Sequence, residues 1–409
     1  MKSSSTAWVM PVVAIFTLQT VSAFLSRLIP IVATAMSEEF GWSGSSIGYL
    51  TASNALGGLM ILVVGSSMLR KIGGTRSLQL ALVVGTASMA FFYYPSMAVA
   101  LVACFAMGMS NGAANPAGSE VLQRFSPPEM RNLMFSVKQA GVPLGGMIAG
   151  LCIPVVIALV GWRLALVVCA VIVLVPTALT WRLSGILDVK GSAKKRRPSM
   201  MPTLHSLRML SVPLASLRSN RGLLKMSIVG SLFAVSQSCW FAFTVVYLVD
   251  RLGFSLSLAG AVFAVMQVGG VVGRIALGWL SDRLGSATGS LSIAALFSAG
   301  TTILLGFTTP QWPLWSLMVL ALVAGCSAAS WNGVQIAEVA RRSPAHQIAE
   351  TAAGASILVS LVNIVAPAAF AATVAFSGRY DIAFLCAGAC SLLVLFVLPR
   401  DGLASPAPS

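Results

Sequence analysis

Apolar residues in this chain come in long unbroken blocks, and the blocks recur at nearly even spacing with short polar turns between them. Twelve blocks reach roughly the length that a helix needs to cross about 30 Å of hydrocarbon. They are 8–35, 45–68, 77–94, 96–121, 133–160, 164–184, 223–249, 257–280, 289–308, 314–338, 350–376 and 380–398. The blocks are rich in Leu, Val, Ala and Gly and lack the period of two of a barrel strand. In hydrocarbon every peptide group must find its partner within the segment, so such blocks are helices. The pattern therefore predicts an all-α membrane protein with twelve transmembrane helices.

The polar turns carry a second regularity. Gly278-Trp-Leu-Ser-Asp282-Arg283-Leu-Gly285, between spans eight and nine, has a faint copy 212 positions earlier at Ser66-Ser-Met-Leu-Arg70-Lys71-Ile-Gly73. The same displacement carries Gly41-Trp42-Ser43 onto Gly253-Phe254-Ser255 and Gly48 onto Gly260. Another echo relates Glu120-Val-Leu-Gln-Arg124-Phe-Ser-Pro127 to Glu338-Val-Ala-Arg341-Arg-Ser-Pro344, displaced by 217 or 218. Repetition over whole hairpins is the mark of duplication. It predicts two pseudo-symmetric six-helix bundles, residues 1–184 and 223–409, joined by a basic linker at 185–222.

Composition agrees: 57% of the residues are hydrophobic, 9% are charged and the mean hydropathy is +0.89. Lys and Arg collect on the side that is not translocated. With a cytoplasmic N-terminus, 20 of the 26 fall in cytoplasmic loops, three outside (Arg163, Arg251, Arg379) and three within spans (Arg27, Lys138, Arg274). Both termini are thus expected in the cytoplasm. The net charge of +15 is explained by that loop bias, and no exposed basic domain offers itself to nucleic acid. The first block ends near Ala33-Thr34-Ala35, which resembles a cleavage site, but its length and place in the repeat favour a retained helix. The seven cysteines stand singly in apolar spans with no metal-ligand spacing, and no Asn-x-Ser/Thr sequon occurs. A bacterial inner membrane suits these features. In the linker, Lys194-Lys-Arg-Arg197 and Leu204, Leu207, Leu210, Leu214 and Leu217 read as a short helix lying on anionic lipid; a soluble partner is the alternative.

Two six-helix halves, a basic central loop and Gly278-x-x-x-Asp282-Arg283-x-Gly285 resemble the major facilitator superfamily over essentially the whole chain. In the first copy Ser66 and Arg70 replace the Gly and Asp of the motif. Gly141-Val-Pro143-Leu-Gly145-Gly146 resembles the family's Gly- and Pro-rich span-five motif, where small residues let helices approach closely. The resemblance implies alternating access, with Asp282 and Arg283 helping to close the cytoplasmic side. Glu120 and Glu338, each ahead of an Arg at a span end, are candidate gating residues or ordinary interfacial caps. It also implies a monomer.

Ionisable residues inside spans are costly, on the order of 3 kcal/mol each at mid-membrane, so Arg27, Lys138 and Arg274 mark function. All eleven acids fall in loops or at span ends, and uncompensated positive charge suits an anionic substrate. Arg274, with Gln267 two turns before it on one face, is similar in position to the span-eight Arg of the oxalate/formate and monocarboxylate branches, which binds the substrate carboxylate. The Lys of the oxalate type in span eleven is replaced here by Ser356, Ser360 and Asn363. Arg27, with Gln19 two turns back, resembles the basic span-one residue of monocarboxylate carriers. Lys138 is either a third ligand or a residue snorkelling to the headgroups. Asn111, Asn115, Gln237, Trp240, Trp331 and Asn332 are expected to converge from spans four, seven and ten; each alone is as readily an interhelical hydrogen bond. The expected activity is proton-coupled secondary transport of a small organic anion such as a carboxylate. Drug efflux is the alternative within transporters, and a transporter-like sensor the alternative outside them. No cofactor or metal is called for, and the two histidines, His205 and His346, lie in loops, which argues against an enzyme.

Overall fold

The computed structural model describes residues 8–64, 72–127, 131–188, 213–344 and 348–399. The helices are α1 (Val9–Phe40), α2 (Ser46–Val64), α3 (Gly74–Ser88), α4 (Met97–Phe125), α5 (Arg131–Leu179), α6 (Arg221–Val246), α7 (Leu256–Leu284), α8 (Ala287–Gly306), α9 (Leu314–Ala328), α10 (Asn332–Arg342), α11 (Ile348–Ser377) and α12 (Tyr380–Val397). Among the described residues nine helical stretches are long and apolar enough to cross a membrane. One of these, α5, holds two crossings because Gly161 breaks it with a φ of 77°. Span two is α2, and span three is α3 prolonged by a 3-10 stretch, Met89–Tyr93. Span ten is interrupted: residues 329–331 form a turn between α9 and α10. The fold is thus the expected all-α arrangement of twelve crossings, with spans five and six fused through a bent helix.

In the first bundle α1 packs on α5 and α4, and α4 also packs on α2 and α3; in the second α7 packs on α9 and α8 on α12. The duplication is visible atom by atom. A Cβ added to Gly57 would strike the Phe105 carbonyl, and one added to Gly269, 212 positions on, would strike that of Leu322. Gly108 is pressed against the Asn54 carbonyl and Gly325 against that of Met266. Without side chains the backbones of α2 and α4, and of α7 and α9, come into direct contact, the packing mode of membrane helices. Among the described residues six glycines have positive φ, and they fall into three pairs: Gly41 with Gly253, Gly73 with Gly285 and Gly161 with Gly378. The first two pairs are 212 residues apart and the third 217.

The bundles meet along α5 against α7 and α2 against α11. Both seams are tightest near the face opposite Val9 and Val397. There Gly260 abuts the Gly150 carbonyl, and its mate Gly48 abuts the Pro367 carbonyl. Phe243 stacks on Phe370 with ring centroids 4.1 Å apart, and the Asp250 carboxylate sits against Gly44 at the start of α2. At the far face the bundles close on each other through these contacts.

The linker reading is corrected at its end. Residues 189–212, with Leu204, Leu207 and Leu210, lie outside the described residues, but Leu217 is buried and packs with Pro213 against Gly354 of α11. A leucine that contacts a helix in this way belongs to the protein core instead of the lipid surface.

Candidate functional site

Gln19 and Arg27 lie on one face of α1. Arg27 reaches across the bundle interface, with its guanidinium over the ring of Phe241 on α6 at 3.7 Å. A desolvated contact of this kind contributes about 2 kcal/mol. The base of Arg27 is fixed by its neighbour: Ser26 donates to Asn54 Oδ1 at 2.9 Å, and Asn54 donates to the Cys104 carbonyl at 3.1 Å. One short chain thus ties α1 to α2 and α4. Phe241 lies one turn beyond Gln237, which is buried on the same helix.

Arg274 meets the interrupted span from the other side. Its Nη2 donates to the Ala329 carbonyl at 3.5 Å, a long contact, while Nη1 is buried with no protein partner. The C-terminal end of α9 presents free carbonyls, and its dipole favours a cation there. Arg27 and Arg274 lie within electrostatic reach, and their like charges oppose each other. Among the described residues no carboxylate forms an ion pair with either.

On α1, α7 and the turn into α10, four further buried polar atoms lack protein partners. They are Gln19 Oε1, Gln267 Nε2, Trp331 Nε1 and Asn332 Oδ1. Gln267 packs against Gly146, where a Cβ would come within 2.7 Å of its side chain. Unmet hydrogen-bonding groups in low dielectric are costly and cluster where something else is to be bound.

These groups stand where the repeat is broken. At a displacement of 212, Arg274 answers to Leu62, Gln267 to Ala55 and Arg27 to Cys239. At 217, Lys138 answers to Ala355. The packing glycines obey the duplication and the cations depart from it.

Lys138 does not snorkel. It is 2% exposed, with its Cε close to Gly118 of α4, where an added Cβ would sit 2.6 Å away. The close approach of α4 and α5 encloses it within the first bundle before it can reach the headgroups. Trp240 is also turned inward: its Nε1 donates to Thr302 of α8 at 3.0 Å, which makes it a packing residue of the second bundle. The side chain of Asn115 lies outside the described residues.

Two cavities flank α10. One, of about 1000 Å³, is bounded by Arg274, Ser281, Asp282, Ser286, Glu338 and Arg341. The other, about 340 Å³, lies between the bundles, with Ala55 and Leu62 of α2, Asn111 of α4, Trp331 and Asn332, and Asn363 of α11 in its wall.

The expected gating residues are only partly brought together. Glu338 is 2% exposed and accepts from Arg341 at 2.7 and 2.6 Å and from Arg342 at 2.5 Å, all within α10. Asp282 shares its cavity, while Arg283 stacks over Trp279 instead. Glu120 lies beside Gly74. Sequence reading missed Asp188, whose carboxylate caps α3 by accepting from the amides of Thr75 at 2.8 Å and Arg76 at 2.9 Å. It also missed Phe241, whose signal was its place one turn from Gln237.

Two repeated helical bundles meet along two seams, with Arg27 and Arg274 contributed from opposite bundles and unpaired by any described carboxylate. Residues 15–367 match the model of the Major Facilitator Superfamily. The chain belongs to that superfamily and is a transport protein and not an enzyme. It is 25% identical to a probable sulfoacetate transporter, SauU, of Cupriavidus necator over 94% of this chain and 92% of the relative. The 4-hydroxybenzoate transporter PcaK of Pseudomonas aeruginosa is 26% identical over 62% of this chain and 61% of its own length. An uncharacterized MFS-type transporter of Mycobacterium tuberculosis is 26% identical over 58% of this chain; the match spans 49% of that protein, about half its length. Among solved structures the nucleoside transporter NupG superposes with a TM-score of 0.77 at 13% identity, covering 95% of this chain and 98% of NupG.

Proposed function

We propose that this carrier moves a small organic anion, of the carboxylate class, by rocking its two bundles about Arg27 and Arg274. The single observation that supports this most is the approach of these two arginines from opposite bundles with no described carboxylate to pair them. An anion entering between them gains charge-assisted hydrogen bonds to both and removes their repulsion, so binding draws the bundles together. That coupling of occupancy to interface geometry is what alternating access requires. The relatives named for sulfoacetate and 4-hydroxybenzoate carry organic anions by name, in keeping with the reading. In the membrane the face carrying the described ends is taken as cytoplasmic from the basic loops, so the closed far face makes this an inward-facing form. Protons are the proposed coupling ion. Efflux of cationic drugs is disfavoured because the arginine pair would repel them.

Flux is the test. Purified protein in proteoliposomes should accumulate a labelled monocarboxylate when an inward proton gradient is imposed, and Arg274→Gln should abolish this. Equal uptake by the Arg274→Gln variant would contradict the anion site; uptake that ignores the gradient would remove proton coupling alone.

A further inference from the structure

The smaller cavity is lined by uncharged residues at three positions whose counterparts in the repeat are polar or cationic. Its wall includes Ala55, Leu62 and Ala355, and their partners in the repeat are Gln267, Arg274 and Lys138. These repeat-related positions carry Gln, Arg and Lys in one copy and Ala, Leu and Ala in the other.

What remains in the neutral hollow is a set of polar groups with a definite bias. Every residue in its described wall is uncharged. Ser356 and Ser360 donate back to the carbonyls of Ala352 and Ser356, both at 2.9 Å, so their oxygens face a ligand as acceptors. Gln335 donates to the Met226 carbonyl at 3.0 Å. Trp331 is 1% exposed and stacks on Phe233, and its Nε1 is a buried donor without a protein partner. The adjacent Asn332 Oδ1 is a buried acceptor in the same condition. A carboxylate offers only acceptors and would meet no cation here. A hydroxyl brings one donor and two lone pairs, which answers an indole N–H and a carbonyl oxygen together.

We propose that this cavity is a hydroxyl-recognition subsite, so that the substrate is a hydroxylated organic acid with one anionic end at the arginines and an uncharged, hydroxyl-bearing end toward Trp331 and Asn332. The proposal rests on the anion reading above and narrows its substrate class. It excludes dicarboxylates as preferred ligands. A volume of about 340 Å³ is at the small end of ligand pockets and admits a ring or a short chain.

The test uses matched acids that differ by one hydroxyl: benzoate with 3- and 4-hydroxybenzoate, and propionate with lactate and glycerate. Binding to the purified full-length protein is followed by thermal stabilisation and calorimetry. At least one hydroxylated acid should bind about tenfold more tightly than its parent acid, the effect of one well-made hydrogen bond. Trp331→Phe keeps the ring stacked on Phe233 and should erase that preference, so that the hydroxylated and parent acids bind alike; Asn332→Ala should do the same. No preference in any pair, or a preference that survives both substitutions, overturns the subsite and leaves the anion reading standing. Full affinity for every acid in Arg274→Gln removes the anion reading, and the hydroxyl preference, scored separately, still decides the subsite.

Discussion

Arg27 of α1 and Arg274 of α7 approach from opposite bundles closely enough for their charges to act on each other, and no described carboxylate pairs with either. Under the proposed function such a pair is kept at a cost to stability. Replacing one member by Gln keeps much of its volume and removes the repulsion. Arg27→Gln is therefore expected to unfold at the same temperature as the parent or a few degrees higher in the absence of anions. A clear fall in unfolding temperature would show instead that the stack on Phe241 stabilises the fold by more than the repulsion costs.

The glycine seams give a sharper steric prediction. Gly57→Ala and Gly269→Ala each drive a methyl into a backbone carbonyl of the neighbouring helix, where no side chain can swing away. Overpacking of this sort costs about 1–3 kcal/mol or more, and both variants should lose thermal stability to a similar degree because they are mates. At Gly278, the first glycine of the motif, an added Cβ meets nothing within 4 Å. Gly278→Ala should stay within about 0.5 kcal/mol of the parent, and unfolding curves of the three variants compare them directly.

Glu338 is buried and bonded to both Arg341 and Arg342. Glu338→Gln removes the charged acceptor of Arg341 and Arg342, both of which reach solvent, and should destabilise by about 1 kcal/mol. Adding Arg342→Gln should recover part of that loss, the coupling expected of a direct pair. Additive losses in the double-mutant cycle would mean that Glu338 acts through something other than these arginines.

Asp188 caps α3 from a segment more than a hundred residues away in sequence. Asp188→Asn keeps one acceptor oxygen but loses the second and the charge, so a loss of about 1 kcal/mol is expected from capping and the helix dipole together. Thermal unfolding measures it, and an unchanged midpoint would show that the cap contributes nothing to holding the 181–188 segment on α3.

The parts of this molecule visible in its sequence are those that hydrocarbon or backbone geometry enforces. Twelve apolar blocks had to be helices, and Gly41, Gly73 and Gly161 return as Gly253, Gly285 and Gly378 because the same turns recur. Arg274 stood out because charge in a span is costly. The rest depended on which faces meet. Lys138 looked free to reach the headgroups because distance along a helix says nothing of the neighbour that covers it, here α4 at Gly118. Trp240 and Gln237 sit on one helix, yet only a three-dimensional contact shows that Trp240 bonds to Thr302. Glu338 read equally as a gating residue or an interfacial cap because an Arg follows it at the span end, and the same spacing serves a local pair. Aligning the halves by their glycines would have shown that Arg274, Gln267 and Arg27 replace Leu62, Ala55 and Cys239, a signal that motif reading passed over.

The most direct measurement is thermal stabilisation of the purified protein by a panel of mono-, di- and hydroxylated carboxylates and of cationic drugs, run on the parent, Arg27→Gln and Arg274→Gln. The account predicts that one or more monocarboxylates raise the unfolding temperature of the parent, and that either substitution weakens the affinity by at least tenfold, as expected when a charged hydrogen-bond partner is lost. Stabilisation by cations or neutral compounds alone, unchanged in both variants, would contradict it and return the two arginines to a structural role.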